Sequence, residues 1–182
     1  MEWNELMTKI RNCRRCSLCQ SRTQVVLGRG NPHARLLFIG EGPGEQEDRQ
    51  GQPFVGPAGK LLDNLLDALG YEPEDYYIAN VVKCRPPGNR NPLEQEVDAC
   101  MPFLREQFRL IRPAIIVCLG SIASRYIIDK NLQITQTRGI WVERKGCRMM
   151  PTFHPAALLR DPGKRVPLYI DLKAVKEALA SG

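Results

Sequence analysis

The sequence lacks long apolar segments and any signal for export. No apolar run approaches the roughly 20 residues that a membrane-spanning helix needs. The N-terminus, MEWNELMTKIRNC, contains no signal-peptide core. We therefore expect a cytoplasmic protein without a membrane partner.

Linkers, repeats and low-complexity segments are also missing, so the sequence predicts a single domain over residues 1–182. A hydrophobic content of 43% is sufficient for a real core. Lys and Arg number 26 against 20 Asp and Glu, which leaves a net charge of +6 and a pI near 9.0. This balance favours a polyanionic partner, and a basic surface without any partner is the alternative.

Histidine is scarce, with two residues, whereas cysteine is frequent, with seven. Because cytosolic thiols are kept reduced, clustered cysteines indicate metal ligation more than disulfides. Cys13, Cys16 and Cys19 form a CxxCxxC motif, whose paired thiolates can bind one metal centre from a single turn. A tetrahedral zinc or an iron–sulfur cluster needs four ligands, so further cysteines are required.

Cys84 and Cys100 are the best additional ligands, because neither lies in the middle of a predicted strand. Cys118 and Cys147 lie in apolar, strand-like runs, where cysteine usually packs as a small hydrophobic residue. Five cysteines therefore compete for four positions, and Cys19 is the uncertain one. Ligand count alone does not separate zinc from a [4Fe–4S] cluster when all four ligands are thiolates.

Strand and helix patterns alternate along the chain. Strands are predicted at 35–39, 76–82 and 114–119, each followed by a loop and a helix, and a hairpin at 141–144 and 147–153 supplies the last strand. Such alternation is typical of parallel sheets with helices on both faces. The sequence predicts a three-layer α/β/α fold with a central, mainly parallel four-stranded sheet.

The glycine-rich stretch GEGPGEQEDRQGQPFVGPAG, residues 40–59, follows the first of these strands. In a parallel sheet the carboxyl ends of all strands meet at one edge, where α/β proteins build binding sites. The loops at 40–57, 83–92 and 154–160 should converge there. The polar and aromatic side chains expected in one pocket are Glu41, Glu47, Phe54, Asn80 and His154. Structural roles explain Phe54, Asn80 and His154 nearly as well on this evidence.

Several motifs together resemble the family 4 uracil-DNA glycosylases, an iron–sulfur class found mainly in bacteria and archaea. They are Cys13-x-x-Cys16, GEGPGEQED, GQPFVGPAG, ANVVKCRPPGNRNP, Cys100 and HPAALLR. Each motif is weak alone, but their order and spacing span nearly the whole chain. The resemblance implies the uracil-DNA glycosylase fold and a structural [4Fe–4S] cluster. Its implied ligands are Cys13, Cys16, Cys84 and Cys100, which leaves Cys19 as a spare thiol.

The resemblance also implies how a flipped uracil is read. Phe54 would stack on the base, Asn80 would bind its O4 and N3–H edge, and His154 would face O2. Gly40 and Asn89 would complete the substrate-binding set. The partner is uracil-containing DNA, single- or double-stranded, bound by a monomer. The segment 156–160 would insert into DNA after base flipping, with Arg85, Arg90 and Arg160 as a basic rim.

The catalytic set implied by the resemblance is Glu41, Gly42, Glu47 and His154. The best-known uracil-DNA glycosylases carry an aspartate where this chain has Gly42, so the carboxylate that orients water is open between Glu41 and Glu47. Asn89 is a further candidate to orient water or substrate, and stabilisation of the leaving group alone is the remaining alternative. Glu47 is alternatively a steric block against the thymine methyl group. No lysine stands in these motifs as an obvious Schiff-base nucleophile, although Lys83 is close, and we expect a monofunctional enzyme that leaves an abasic site.

Two other functions use the same residues. A binding protein would hold uracil in DNA without turnover, or capture it covalently through His154. Covalent-capture relatives carry a basic, histidine-containing insertion, and the chain has none between Gly88 and Pro92. An iron–sulfur electron carrier would need only the cysteines, which leaves GEGPGEQED and HPAALLR without a purpose.

Overall fold

A computed structural model describes residues 1–182. It contains one sheet of six strands in the order β1-β3-β2-β4-β6-β5. The strands are β1 (Arg29–Gly30), β2 (Leu36–Gly40), β3 (Tyr76–Asn80), β4 (Ile115–Leu119), β5 (Val142–Arg144) and β6 (Cys147–Thr152). The four central strands are parallel, and β1 and β5 pair antiparallel at the two edges.

Nine α-helices connect and cover the strands. They are α1 (Trp3–Arg11), α2 (Leu18–Ser21), α3 (Glu45–Gln50), α4 (Pro57–Ala68), α5 (Glu94–Ile111), α6 (Ser121–Ile127), α7 (Ile134–Thr137), α8 (Ala157–Arg160) and α9 (Arg165–Ser181). None of them is long and apolar enough to span a membrane.

The two faces of the sheet bury separate apolar layers. Leu36 and Phe38 of β2 pack with side chains of α4 and α9, whereas Leu37 and Ile39 pack with side chains of α5 and α6. This division follows from the alternation of side chains along a strand. Because β2 is buried on both faces, it needs a continuous apolar sequence. The predicted three-layer α/β/α architecture is confirmed.

The sheet is wider than the sequence predicts. The four parallel strands are those expected, and the hairpin of β5 and β6 is also confirmed. The segment 28–32, interpreted as a connector, contributes the two-residue edge strand β1, which pairs with β3. A strand this short carries no period-two pattern, so only its pairing identifies it. Similarly, the stretch 40–59 is not all loop, because it contains α3.

The N-terminal helix brings the first cysteines to the sheet. Leu6 and Ile10 of α1 form a small buried cluster with Phe103 of α5. Cys13 follows α1 directly and packs against this cluster, as does Cys100 of α5. Residues far apart in the chain are therefore brought together on one side of the sheet.

Candidate active site and cysteine cluster

A cavity of about 150 Å³ lies at the carboxyl ends of β2 and β3. Parallel pairing places Gly40 and Asn80 side by side at these ends. Side chains from four separate segments line the cavity, and they include Glu47, Phe54, Asn80, His154 and Leu159. The expected convergence of strand ends therefore produces a pocket.

The side-chain oxygen of Asn80 is buried and has no hydrogen-bond donor within the protein. Asn80 is only 3% exposed, and its Oδ1 has no hydrogen-bond partner. A Cβ atom on Gly40 would lie 2.5 Å from this oxygen and 2.7 Å from Cζ of Phe54. Glycine at position 40 thus makes room for both side chains. A buried amide oxygen without a partner is costly unless a ligand pairs it.

Phe54 and His154 form an aromatic wall of the cavity. Their ring centroids are 5.5 Å apart and their planes meet at 28°, which is a direct offset contact. Phe54 has a positive φ of 54°, a backbone conformation that only glycine adopts readily. The ring is therefore held in position by its surroundings and not by its own backbone preference.

His154 is a neutral hydrogen-bond donor. Burial, followed by the positive charge of Arg160, lowers the pKa of its imidazole from 6.5 to about 4. Its Nδ1 accepts a hydrogen bond of 3.0 Å from the main-chain N–H of Ala156. The single proton of the neutral ring therefore resides on Nε2.

Gly120 supports His154, and sequence reasoning did not identify it as a site residue. It has a positive φ of 92°, and a Cβ atom there would lie 2.9 Å from Cβ of His154. Its main-chain N–H also donates a 2.8 Å hydrogen bond to the oxygen of Thr152. The only signal in the sequence is a glycine after a buried strand, which does not reveal its distant neighbour.

The two candidate carboxylates occupy different environments. Oε1 of Glu47 accepts a hydrogen bond from the main-chain N–H of Gly44 at 3.1 Å. Its Oε2 accepts from Val55 at 3.1 Å and from Gly56 at 2.7 Å. Glu41 is not among the residues that line the cavity, and burial raises the pKa of its carboxyl above the ordinary value. Glu47 is thus engaged with the main chain.

Five cysteines line a second cavity, and they are Cys13, Cys16, Cys19, Cys84 and Cys100. All seven thiols of the chain are free of disulfides, and Cys118 and Cys147 are buried in the core as expected. No three His, Cys, Asp or Glu side chains are grouped so as to hold a single metal ion.

The walls of this cysteine cavity are mostly apolar, and three cationic residues, Arg15, Arg22 and Lys83, also line it. Burial raises the pKa of the Cys16 and Cys100 thiols, and that of Cys84 to about 11. Nη1 of Arg22 donates to Sγ of Cys84 at 3.3 Å. Lys83 also lines the cavity, and its Nζ donates a hydrogen bond of 2.7 Å to the main-chain oxygen of Asn80.

Comparison with known proteins identifies the family. A family model of the uracil DNA glycosylase superfamily matches residues 27–179. A type-4 uracil-DNA glycosylase of Thermotoga maritima is 48% identical over 84% of this chain and 81% of its own length. One of Saccharolobus solfataricus is 46% identical over 95% of this chain and 84% of its own. The chain belongs to the type-4 uracil-DNA glycosylase family.

Two further residues predicted for this type-4 family member differ in their relation to the cavity. Asn89 is exposed in a short turn, Pro87–Asn89, where its Oδ1 accepts from Nε of Arg85 at 2.7 Å. It does not line the cavity, so its role with water or substrate stays a prediction. Leu159 of α8 lines the cavity and is 55% exposed.

Of the predicted basic rim, Arg85, Arg90 and Arg160, one guanidinium is already paired with a carboxylate of the protein. Arg90 donates to both oxygens of Glu96, at 2.8 and 2.9 Å, and Glu96 is 1% exposed. Such a bidentate pair neutralises the guanidinium locally. Arg160 follows Leu159 at the exposed end of α8 and forms no ion pair.

Proposed function

We propose that this protein removes uracil from DNA in the cytoplasm as a monomeric, single-domain enzyme. It flips the base, hydrolyses the N-glycosidic bond and leaves an abasic site without cutting the strand. The observation that carries this proposal is the buried Oδ1 of Asn80, which has no partner in the protein. Asn80 lines a cavity that a flipped base can enter.

The Asn80 amide matches the edge of uracil. Its oxygen accepts from uracil N3–H, and its NH₂ group donates to O4. Cytosine presents an acceptor at N3 and a donor at N4, so each pair would be mismatched. An unpaired buried polar group costs about 1–3 kcal/mol, and two of them would provide strong discrimination.

His154 stabilises the uracil anion that leaves the sugar. Breaking the glycosidic bond places negative charge on uracil, and a donor aimed at O2 stabilises that charge. The neutral imidazole, with its proton on Nε2, supplies such a donor, and the main-chain N–H of Gly42, which forms no hydrogen bond within the protein, supplies a second. One preorganised donor of this kind contributes about 3–4 kcal/mol to transition-state stabilisation.

Two carboxylates compete to orient the attacking water, and of these Glu47 lines the cavity whereas Glu41 does not. Glu47 already accepts three main-chain hydrogen bonds, which suits it to hold its loop. The main-chain oxygen of Glu41 accepts a 3.2 Å hydrogen bond from Val82, whereas its carboxylate accepts none, and its raised carboxyl pKa is that of a stronger base. Glu41→Gln should therefore lower kcat with little change in KM, whereas Glu47→Gln should also destabilise the loop.

Five thiols around one cavity offer the four thiolate ligands that a [4Fe–4S] cluster needs. Four thiolates can also bind zinc, and the resemblance of the sequence motifs to an iron–sulfur class favours the cluster. Cys13, Cys16, Cys84 and Cys100 would hold it, and it would join α1, the loop after β3 and α5.

Single- and double-stranded DNA containing uracil test the reaction. After incubation, alkali cleaves the strand at each abasic site. The wild-type protein should excise uracil, and Asn80→Ala and His154→Ala should lose most of that activity. Borohydride trapping should capture no covalent adduct. A complex that survives denaturant, with no abasic product, would instead establish the binding protein that captures uracil through His154.

A further inference from the structure

The stacking residue Phe54 is held between two oppositely charged side chains. Its positive φ of 54° is unfavourable for a residue with a Cβ atom. On one side, Glu47 accepts hydrogen bonds from the main-chain N–H groups of Val55 and Gly56. These hydrogen bonds fix the main chain after Phe54. The peptide group before Phe54 needs a different hydrogen-bond partner.

Arg29 is that partner. Its Nε donates a 3.0 Å hydrogen bond to the main-chain oxygen of Pro53, and its Nη2 donates to that of Phe54 at 3.4 Å. Nη2 also donates to Oδ1 of Asp63 in α4 at 3.1 Å. The planar guanidinium can satisfy all three acceptors because its donors point in fixed directions.

Arg29 also connects this loop with the strand that reads the base. It belongs to β1, where it pairs with Ile78 of β3, two residues before Asn80. Gly59 allows the Phe54 carbonyl to approach α4, since a Cβ atom there would lie 1.9 Å from that oxygen. Arg29 thus links the loop that carries the Phe54 ring to the strand that carries the Asn80 amide.

We propose that Arg29 is a positioning residue for uracil binding, acting through the conformation of Phe54. This rests on the proposed function, because it assumes that Phe54 stacks on the base. A stacking contact contributes equally to the bound substrate and the transition state, so its loss raises KM and leaves kcat nearly unchanged. A base–aromatic contact is worth enough to change affinity about tenfold.

The test compares Arg29→Gln with the wild-type holoenzyme on a uracil-containing oligonucleotide. KM should rise about tenfold with kcat changed less than about twofold, and inhibition by free uracil should weaken by a similar factor. Arg29→Lys, which retains one donor, should lie between the two. Arg35→Gln is the matched control, because Arg35 also donates to a main-chain oxygen, that of Leu179, away from the cavity.

A double variant separates positioning from other roles. In a Phe54→Ala background, Arg29→Gln should have no further effect on KM. An equal effect of Arg29→Gln in both backgrounds would overturn the proposal. A higher KM with unchanged inhibition by free uracil would also overturn it, since that result indicates a contact between Arg29 and a DNA phosphate.

If Arg29→Gln does not fold, Asp63→Asn takes its place. This variant removes the side chain that anchors the guanidinium and should raise KM to a smaller extent. Wild-type protein without excision activity would refute the proposed function itself, whereas active wild type with normal KM in the variants would refute only this inference.

Discussion

Nζ of Lys83 donates a 2.7 Å hydrogen bond to the main-chain oxygen of Asn80. Lys83 is 1% exposed and lines the cysteine cavity, whereas Asn80 lines the base cavity. A single buried side chain thus joins the two sites. The position of the Asn80 peptide depends on a residue that belongs to the wall of the cysteine site.

Replacement of Lys83 by methionine should weaken excision. Methionine fills a similar volume but leaves the Asn80 oxygen without its charged donor, an interaction worth about 1.5–3 kcal/mol. We expect kcat/KM for uracil excision to fall about tenfold. Lys173→Met, on the exposed face of α9, is the control, and equal activity of both variants would contradict the prediction.

An aspartate at position 80 should change base preference. A carboxylate only accepts hydrogen bonds, so it repels uracil O4 and can accept from the N4 amino group of cytosine. Excision of uracil by Asn80→Asp should fall by at least about a hundredfold, and a trace of cytosine excision should appear. Asn80→Ala should excise neither base well, and cytosine excision by both variants would show that the amide does not read the base.

The imidazole of His154 should titrate near pH 4 and not near 6.5. Between these values the unfolded chain binds this proton and the folded protein does not, so stability falls as pH decreases from about 6.5 towards 4. In a His33→Gln variant, the one remaining histidine signal in an NMR titration reports His154 directly. A midpoint near 6.5 would mean that the ring is solvated and would remove the argument for a neutral donor.

Iron content should depend on four cysteines and not on the fifth. Cys84→Ser and Cys100→Ser should lose iron and visible absorption and should unfold at lower temperature, because three chain segments lose their common ligand. Cys19→Ser should retain both properties. Colourless wild-type protein with stoichiometric zinc would refute the cluster, and iron loss in Cys19→Ser would change the ligand set.

Alanine at position 40 should block the base cavity. The new Cβ atom would lie within 2.7 Å of both Asn80 and Phe54, and such overpacking typically costs about 1–3 kcal/mol. We expect at least a tenfold loss of uracil excision with a smaller change in melting temperature. Gly146→Ala is the control for lost stability away from the cavity, since its positive φ of 77° strains any side chain although no atom lies within 4 Å of the added Cβ. Wild-type activity in Gly40→Ala would refute the assigned cavity.

The sequence predicts those parts of the molecule that depend on local pattern. Buried runs such as Leu36–Gly40 identify the parallel strands, and the polar residue at the end of such a run, Asn80, identifies the sheet edge. The contacts of Arg29 with the Phe54 loop are not encoded locally, because they join residues 24 and 25 positions apart. For the same reason, the support that Gly120 gives His154 is visible only in the folded chain.

The pairing of Gly40 with Asn80 also restricts where residues can be inserted or deleted without loss of function. Successive strand residues face opposite layers, so deletion of one residue within β3 would turn the Asn80 side chain away from the cavity. Insertions in the exposed Lys145–Gly146 turn of the β5–β6 hairpin would leave this pairing intact. Length variation among functional variants should therefore be absent from β2 and β3 and concentrated in the turns.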